Sequence, residues 1–127
     1  MITSTPGKGC QASLGFVEKT DTYLNLDVDC FFPSTIMHEL FHTLGVSHYH
    51  QRSDRDKYVT IHWENIKPET KSQYCKDRSG DKSRYGTDYD SKSFMHYVAH
   101  NVFALDQSKP TISSKVKFIL QKTYLHK

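Results

Sequence analysis

The stretch from residue 37 to residue 48, MHELFHTLGVSH, constrains the fold and chemistry of this 127-residue chain more than any other. Side chains four residues apart leave the same face of a helix, so His38 and His42 could bind one metal ion together. Glu39 leaves the helix beside that pair, where a general base would stand. The pattern therefore predicts a metal-binding helix with a carboxylate next to the metal.

A third histidine, His48, can join the first two only if the helix ends before it. In a continuous helix it would lie roughly 15 Å further along the axis than His38, on a different face. Gly45 predicts the required break, because glycine readily adopts the left-handed conformation that ends a helix. An HExxH string alone could arise by chance among eight histidines, but the glycine and the third histidine at fixed offsets weaken that explanation. Three histidine ligands leave a coordination position for water, as in a catalytic zinc site.

Length and net charge constrain the domain count and the class of partner, but little else. Its 127 residues predict one domain, and 17 Lys plus Arg against 14 Asp plus Glu give a net charge of +3, too small to indicate a nucleic-acid partner. No apolar run approaches the roughly eighteen residues needed for a membrane span, and the first residues lack the apolar core of a signal peptide. The sequence carries no signal for an oligomeric state.

The three cysteines lack the CxxC spacing of a cysteine zinc site. Cys10 and Cys30 flank two predicted strands, and a bridge between them would suit an oxidising compartment. Cys75 is left over, either free or paired with a cysteine outside this sequence.

Local patterns predict short elements around the metal-binding helix. We expect adjacent strands within residues 11–17 and 22–28, and a helix N-cap at Ser34 with Pro33 just outside the helix. Further along we expect an extended segment at 58–63 with Trp63 in the core, a short helix at 68–75, a loop at 76–90 and a frayed basic tail. The charge-dense stretch 49–56 predicts a solvated loop, in which neighbouring Arg and Asp could pair and fix the turn that delivers His48.

Several motifs together resemble the astacin family of metzincin endopeptidases. HELFHTLGVSH is preceded by YLNLDVDC and followed by DRDKYVTIHWENI at residues 54–66 and by SFMHY at residues 93–97. The likeness covers roughly residues 5–112 and leaves 113–127 as a divergent basic tail. It implies an α+β, zincin-like catalytic domain truncated at both ends, so that residues 1–127 form a single partial peptidase domain. Edge strands, an active-site helix and an irregular C-terminal part with a Met-turn would make up this domain.

The resemblance also assigns roles to particular residues. Glu39 would be the catalytic base, Met95 the methionine of the Met-turn, and Tyr97 a tyrosine that stabilises the transition state. The remaining assignments are the ligands of one Zn²⁺ per chain, His38, His42 and His48, and a disulfide between Cys10 and Cys30. One position departs from the family pattern, because Tyr49 stands where members usually carry Glu.

The function implied by the resemblance is a secreted, zinc-dependent endopeptidase. It would hydrolyse peptide bonds in proteins through a zinc-activated water, with Glu39 as the general base. The strand near residues 12–14 is similar to the family's edge strand, which pairs with an extended protein or peptide substrate. The alternatives are a catalytically inactive zinc-binding extracellular module, suggested by Tyr49 and the truncated ends, and a cytosolic zincin with reduced Cys10 and Cys30.

Overall fold

The computed structural model describes residues 1–16, 18, 20–77 and 86–115. The chain has an α+β fold, as expected, and divides into two compact units, Met1–Ser47 and His48–Lys127. No helix in the described part of the chain has the length and apolar character needed to cross a membrane.

The first unit contains a small three-stranded sheet. Its strands are β1, Ile2–Thr3, β2, Gln11–Ala12, and β3, Leu24–Asn25, in the order β1-β3-β2. β3 is parallel to β1 and antiparallel to β2, with Ala12 opposite Leu24. The predicted neighbours at 11–17 and 22–28 do pair, but each strand is only two residues long. A 3-10 helix, Val28–Cys30, begins within the second predicted strand.

The side chain of Asn25 stabilises this short sheet through hydrogen bonds. The side chain is buried, and its Oδ1 accepts hydrogen bonds from Thr3 Oγ1 at 2.8 Å and from the Thr5 amide at 2.9 Å. Its Nδ2 donates to the Gly9 carbonyl at 2.8 Å. One amide side chain thus replaces ladder hydrogen bonds that the irregular segment between β1 and β2 cannot make.

Helix α1, Pro33–Thr43, follows the sheet. The predicted N-cap at Ser34 is wrong: Phe32 is the N-cap residue, and Pro33 opens the helix. Proline suits that first position because its missing N–H would have no partner inside the helix and its fixed φ is already helical. The core of this unit consists of Leu24, Leu26 and Cys30, with Ala12 and Ile36 packed against it. Cys30 is disulfide-bonded to Cys10, as the sequence analysis expects, and Cys75 is an exposed free cysteine.

The second unit is built from one strand pair and several 3-10 helices. β4, Val59–Ile61, pairs antiparallel with β5, Ile112–Ser114, with Ile61 opposite Ile112. The 3-10 helices span Tyr49–Gln51, Arg55–Lys57, Trp63–Asn65 and Pro68–Tyr74. The last of these matches the short helix predicted at 68–75.

Two expectations for this unit are wrong in part. The tail predicted from residue 113 contributes two residues to β5, while residues 116–127 lie outside the described part of the chain. Trp63 is 39% exposed and lies outside the core, which is formed by Val59, Ile66, Tyr74, Tyr97 and Ile112.

The loop predicted at 76–90 has no helix or strand in residues 76–77 and 86–90, and residues 78–85 are not described.

Candidate metal centre

Helix α1 presents His38 and His42 on one face, one turn apart, as their spacing predicts. Both side chains are buried, and their Nε2 atoms are 3.1 Å apart. Two nitrogens bound at 2.0–2.1 Å to one tetrahedral ion are about 3.3 Å apart. The observed separation therefore fits a pair of ligands that share a metal ion.

The protonation of His42 also suits a metal ligand. Its Nδ1 lies 2.8 Å from the Val46 carbonyl oxygen, which can only accept a hydrogen bond. Nδ1 therefore carries a proton, and Nε2 is the ring nitrogen that can bind a metal. A backbone carbonyl in this position fixes both the tautomer and the ring orientation of a histidine ligand.

The chain leaves the helix in the way that Gly45 predicts. Leu44 is the C-cap, and Gly45 has a φ of +90°, in the left-handed region. The Gly45 amide donates to the His42 carbonyl, and the Val46 amide donates to the Phe41 carbonyl, at 2.9 and 3.0 Å. These two bonds form a Schellman motif, which ends the helix and satisfies its last carbonyls.

Gly15 supports this turn from within the same unit. Its amide donates to the His42 carbonyl at 2.8 Å, and a Cβ built on Gly15 would lie 3.3 Å from the Gly45 Cα. The two backbones are thus close enough that a side chain at position 15 would press on the turn.

Along the continuous stretch from His38 to His48, three imidazoles come together. One ring nitrogen from each of His38, His42 and His48 lies within 4.8 Å of the other two. Three imidazoles with no thiolate or further protein ligand among the described residues suit zinc with an open coordination position. The donor set therefore fits one zinc ion.

Glu39 supplies a second observation that fits a metal centre. The residue is 5% exposed, and its Oε2 is buried without a hydrogen-bond partner among the described residues. Burial raises the pKa of the Glu39 carboxyl to about 7. A nearby dication favours the carboxylate and so opposes this rise in pKa. A buried oxygen without a partner is costly in a finished core but is expected of a group that handles protons.

The second unit carries the predicted Met-turn residue, Met95. It is 2% exposed, and its amide donates to Ser93 Oγ at 3.2 Å, while the His96 amide donates to the Ser93 carbonyl at 2.9 Å. The Met95 carbonyl accepts a hydrogen bond from the Tyr49 amide at 2.8 Å. The backbone turn at 93–96 is thus tied to the residue that follows His48.

Tyr97 lies in an aromatic cluster and is 8% exposed. Its ring centroid is 4.0 Å from that of His50 and 4.7 Å from that of His48. Tyr74 and Phe103 contact other parts of the ring, at 5.6 and 5.7 Å. Tyr97 is therefore next to a candidate ligand rather than on the surface.

The burial of His50 is not predicted from the sequence, because the charge-dense stretch 49–56 predicts a solvated loop. The side chain is completely buried, and its Nε2 donates to the Gln73 carbonyl at 2.9 Å. Burial lowers the pKa of His50 to about 3, so the ring is neutral. Arg52 and Arg55 are buried as well, at 3% and 4% exposed. The expected pairing of neighbouring Arg and Asp is present in Arg52–Asp54 and Arg55–Asp56, but both arginine side chains are buried rather than solvated.

Tyr49, the departure from the family pattern, packs beside one of these cations. The guanidinium carbon of Arg52 lies 5.3 Å from the Tyr49 ring centroid and 5.5 Å from that of Tyr89. Tyr49 therefore has a packing role of its own at this position.

Comparison with known proteins agrees with the geometry. The family model described as Astacin (Peptidase family M12A) matches residues 1–124. A zinc metalloproteinase, nas-5 of Caenorhabditis elegans, is 41% identical over 106 residues, which cover 81% of this chain and 29% of that protein. The low choriolytic enzyme of Oryzias latipes is 38% identical over 112 residues, covering 88% of this chain and 40% of the enzyme.

A solved structure has the same fold. High choriolytic enzyme 1, a hatching enzyme zinc-protease from Oryzias latipes, matches with a TM-score of 0.80 and 32% identity. The match covers 94% of this chain and 60% of that protein, so the chain spans less than two thirds of each of these three relatives. Because a family model spanning nearly the whole sequence agrees with the sequence relatives and with this shared fold, the chain belongs to the astacin family, peptidase family M12A.

Proposed function

We propose that this chain is the part of a zinc-dependent endopeptidase that holds the metal and the catalytic carboxylate. The observation that carries the proposal is the gathering of three imidazole nitrogens within 4.8 Å of one another, in a stretch that includes the unpaired Oε2 of Glu39. A structural zinc site would use a fourth protein ligand and would have no use for a buried carboxylate without a partner.

His38, His42 and His48 hold the zinc ion in this proposal. When bound, zinc supplies Lewis-acid chemistry, lowering the pKa of water and polarising a peptide carbonyl. Glu39 accepts a proton from the attacking water at Oε2 and delivers it to the nitrogen of the leaving amine. Burial raises the pKa of this carboxyl, which strengthens it as a base for the attacking water.

Tyr97 donates a hydrogen bond from its hydroxyl to the oxyanion that develops on the scissile carbonyl. Its ring contact with His48, a proposed ligand, supports this role. Met95, buried at the turn that precedes Tyr97, provides an apolar support for the site.

The substrate is a protein or peptide segment in extended conformation, which adds to the outer edge of β2. No strand pairs with that edge among the described residues. The Ser13 amide donates to the Tyr23 carbonyl of the neighbouring chain segment, and hydrogen bonds alternate along a strand. The backbone groups of Ala12 therefore face the outer edge, where they can pair with a substrate backbone.

Residues 1–127 form part of a single peptidase domain that acts outside the cytosol. The Cys10–Cys30 disulfide supports an oxidising compartment, because cytosolic thiols are normally kept reduced. The relatives described above are named as proteases or enzymes, and none of them favours an inactive zinc-binding module.

The test measures zinc content and casein hydrolysis for the 127-residue chain and for Glu39→Gln, with and without chelator. We expect one zinc per chain in both proteins, chelator-sensitive hydrolysis by the unaltered chain, and a loss of hydrolysis by at least a thousandfold in the variant. Glu64→Gln is the control, because the Glu64 side chain is 77% exposed and should leave both quantities unchanged. Full hydrolysis by Glu39→Gln would refute the proposed base, and zinc binding without any hydrolysis by the unaltered chain would favour the inactive module.

A further inference from the structure

The ring of His50 stacks on the ring of Tyr97. The two rings are nearly parallel, with centroids 4.0 Å apart and planes 28° apart. The contacts of the Tyr97 ring with the rings of His48, Tyr74 and Phe103 are tilted or edge-on and longer, from 4.7 to 5.7 Å. The imidazole of His50 therefore packs flat against one face of the Tyr97 phenol.

The orientation of the His50 ring is itself fixed by hydrogen bonding. Nε2 donates to the Gln73 carbonyl at 2.9 Å, while Nδ1 has no partner among the described residues. The backbone carbonyl of His50 accepts a hydrogen bond from Arg55 Nη1 at 2.9 Å, and the same Nη1 also donates to the Tyr74 carbonyl. One hydrogen bond therefore fixes the ring at Nε2, and another fixes the backbone of His50. The ring cannot rotate without breaking its hydrogen bond to Gln73.

A histidine that only filled space in the core would need neither the stacking on Tyr97 nor the hydrogen bond to the Gln73 carbonyl. An apolar ring could fill the same space without leaving a buried nitrogen unpaired. The imidazole combines a flat face against Tyr97 with a donor for Gln73, and this combination sets both the place and the tilt of the phenol.

We propose that His50 is a positioning residue for Tyr97, whose ring plane, fixed through Gln73, holds the phenol where its hydroxyl can act on the substrate. The inference rests on the role of Tyr97 in the proposed function. It adds a residue that touches neither the substrate nor the metal but controls the geometry of one that does. Misplacing such a group by about 1 Å can lower a rate by as much as a hundredfold.

The kinetic test compares His50→Gln, Tyr97→Phe and the double variant. We expect His50→Gln to lower kcat about tenfold with KM changed less than about twofold, because it alters an interaction made in the transition state. In the Tyr97→Phe background the same substitution should have no further effect on kcat, since residues that act through one another are not additive. An equal loss of kcat in both backgrounds would overturn the proposal and assign His50 a general structural role.

A second readout needs neither metal nor activity. The ring resonances of Tyr97, assigned with Tyr97→Phe, are recorded by NMR in the metal-free chain. Removing a ring stacked at 4.0 Å should move these resonances downfield in His50→Gln. His62→Gln is the control, because the His62 ring bonds to Ser113 Oγ at 2.9 Å and should leave the Tyr97 signals and kcat unchanged. Unshifted Tyr97 signals in His50→Gln would overturn the proposal.

His50→Phe keeps the inference testable if His50→Gln does not fold. It retains a flat ring but removes the donor to Gln73, so we expect a smaller shift of the Tyr97 signals and a smaller loss of kcat. A chain that binds zinc but never hydrolyses peptides would refute the proposed function, and the NMR comparison would still decide whether His50 holds the Tyr97 ring.

Discussion

The Asp54 carboxylate accepts two hydrogen bonds from the guanidinium of Arg52, from Nε at 2.9 Å and from Nη2 at 2.8 Å. The Arg52 side chain is only 4% exposed, and the same Nη2 also donates to the Thr87 carbonyl at 3.1 Å. This pairing neutralises a cation inside the second unit, two residues after His50. A buried cation that loses its partner is strongly destabilising, so the pair gives a direct test of how this unit is held.

Asp54→Asn should lower the free energy of unfolding by about 2 kcal/mol at pH 7, because one of two charge-assisted hydrogen bonds to a buried guanidinium is lost. The hydrogen bond from Arg52 also lowers the pKa of Asp54. A carboxyl whose pKa is lower in the folded state stabilises the fold fully above its unfolded pKa of about 3.9, and this stabilisation fades as the pH falls through the folded value. Urea unfolding at several pH values should therefore show the difference between the two proteins shrinking below about pH 4.

Asp56→Asn is the control for this prediction. The Asp56 side chain is 60% exposed and pairs with Arg55 and Lys76, so its loss should cost less than about 1 kcal/mol. Arg55 is as buried as Arg52, so the two pairs differ in the exposure of the carboxylate, which is 20% for Asp54 and 60% for Asp56. Equal losses for Asp54→Asn and Asp56→Asn would mean that burial of the carboxylate does not strengthen the ion pair.

Tyr74→Phe should lower the free energy of unfolding by about 1–2 kcal/mol. The Tyr74 hydroxyl is within 3.0 Å of Asn101 Oδ1 and 3.1 Å of Thr111 Oγ1, inside the core that also contains Tyr97. Tyr58→Phe serves as the matched comparison, since the Tyr58 hydroxyl has no hydrogen bond within the described residues and its loss should be nearly neutral. Thermal unfolding followed by circular dichroism would measure both, and a neutral Tyr74→Phe would contradict the importance of this network.

The metal-binding helix could be predicted because its signals are local. The spacing of His38 and His42, the carboxylate between them and the glycine at position 45 each act through the backbone of one short stretch. The structure confirms the helix, its end before His48 and the left-handed Gly45. The resemblance to a known family supplied the α+β fold class, which no local pattern in these short strands could have given.

The sequence could not reveal interactions between residues distant along the chain. Asn25 is a polar residue between Leu24 and Leu26, and nothing near it in the sequence shows that its side chain bonds to Thr3 and Gly9 inside the first unit. The sequence predicts that neighbouring Arg and Asp could pair, as Arg52 and Asp54 do. It does not reveal that Arg52 also donates to the Thr87 carbonyl or that His50 donates to the Gln73 carbonyl, because these partners lie more than twenty residues away. Polar residues are usually exposed, and only the fold shows which of them are paired in the interior.

Reducing the Cys10–Cys30 disulfide should lower the free energy of unfolding by about 3 kcal/mol, as expected for the loop it closes. Cys30 lies in the core of the first unit, so reduction also frees the chain segment that leads into α1. Urea unfolding with and without reductant measures the difference. Cys75→Ser should show the same difference, because Cys75 is exposed and unbonded, whereas the Cys10→Ser and Cys30→Ser double variant should show none.

Gly45→Ala should weaken zinc binding by at least about tenfold. An alanine at a φ of +90° is strained by about 1–2 kcal/mol, and the chain can relieve the strain by changing the turn that separates His42 from His48. Zinc affinity is measured by competition with a coloured chelator. The control is Gly7→Ala, which has a φ of +75° and no atom within 4 Å of its new Cβ. It should carry a similar strain, visible in urea unfolding, but leave zinc affinity unchanged. If both variants bound zinc like the unaltered chain, the left-handed turn at Gly45 would not be what brings the third histidine to the metal.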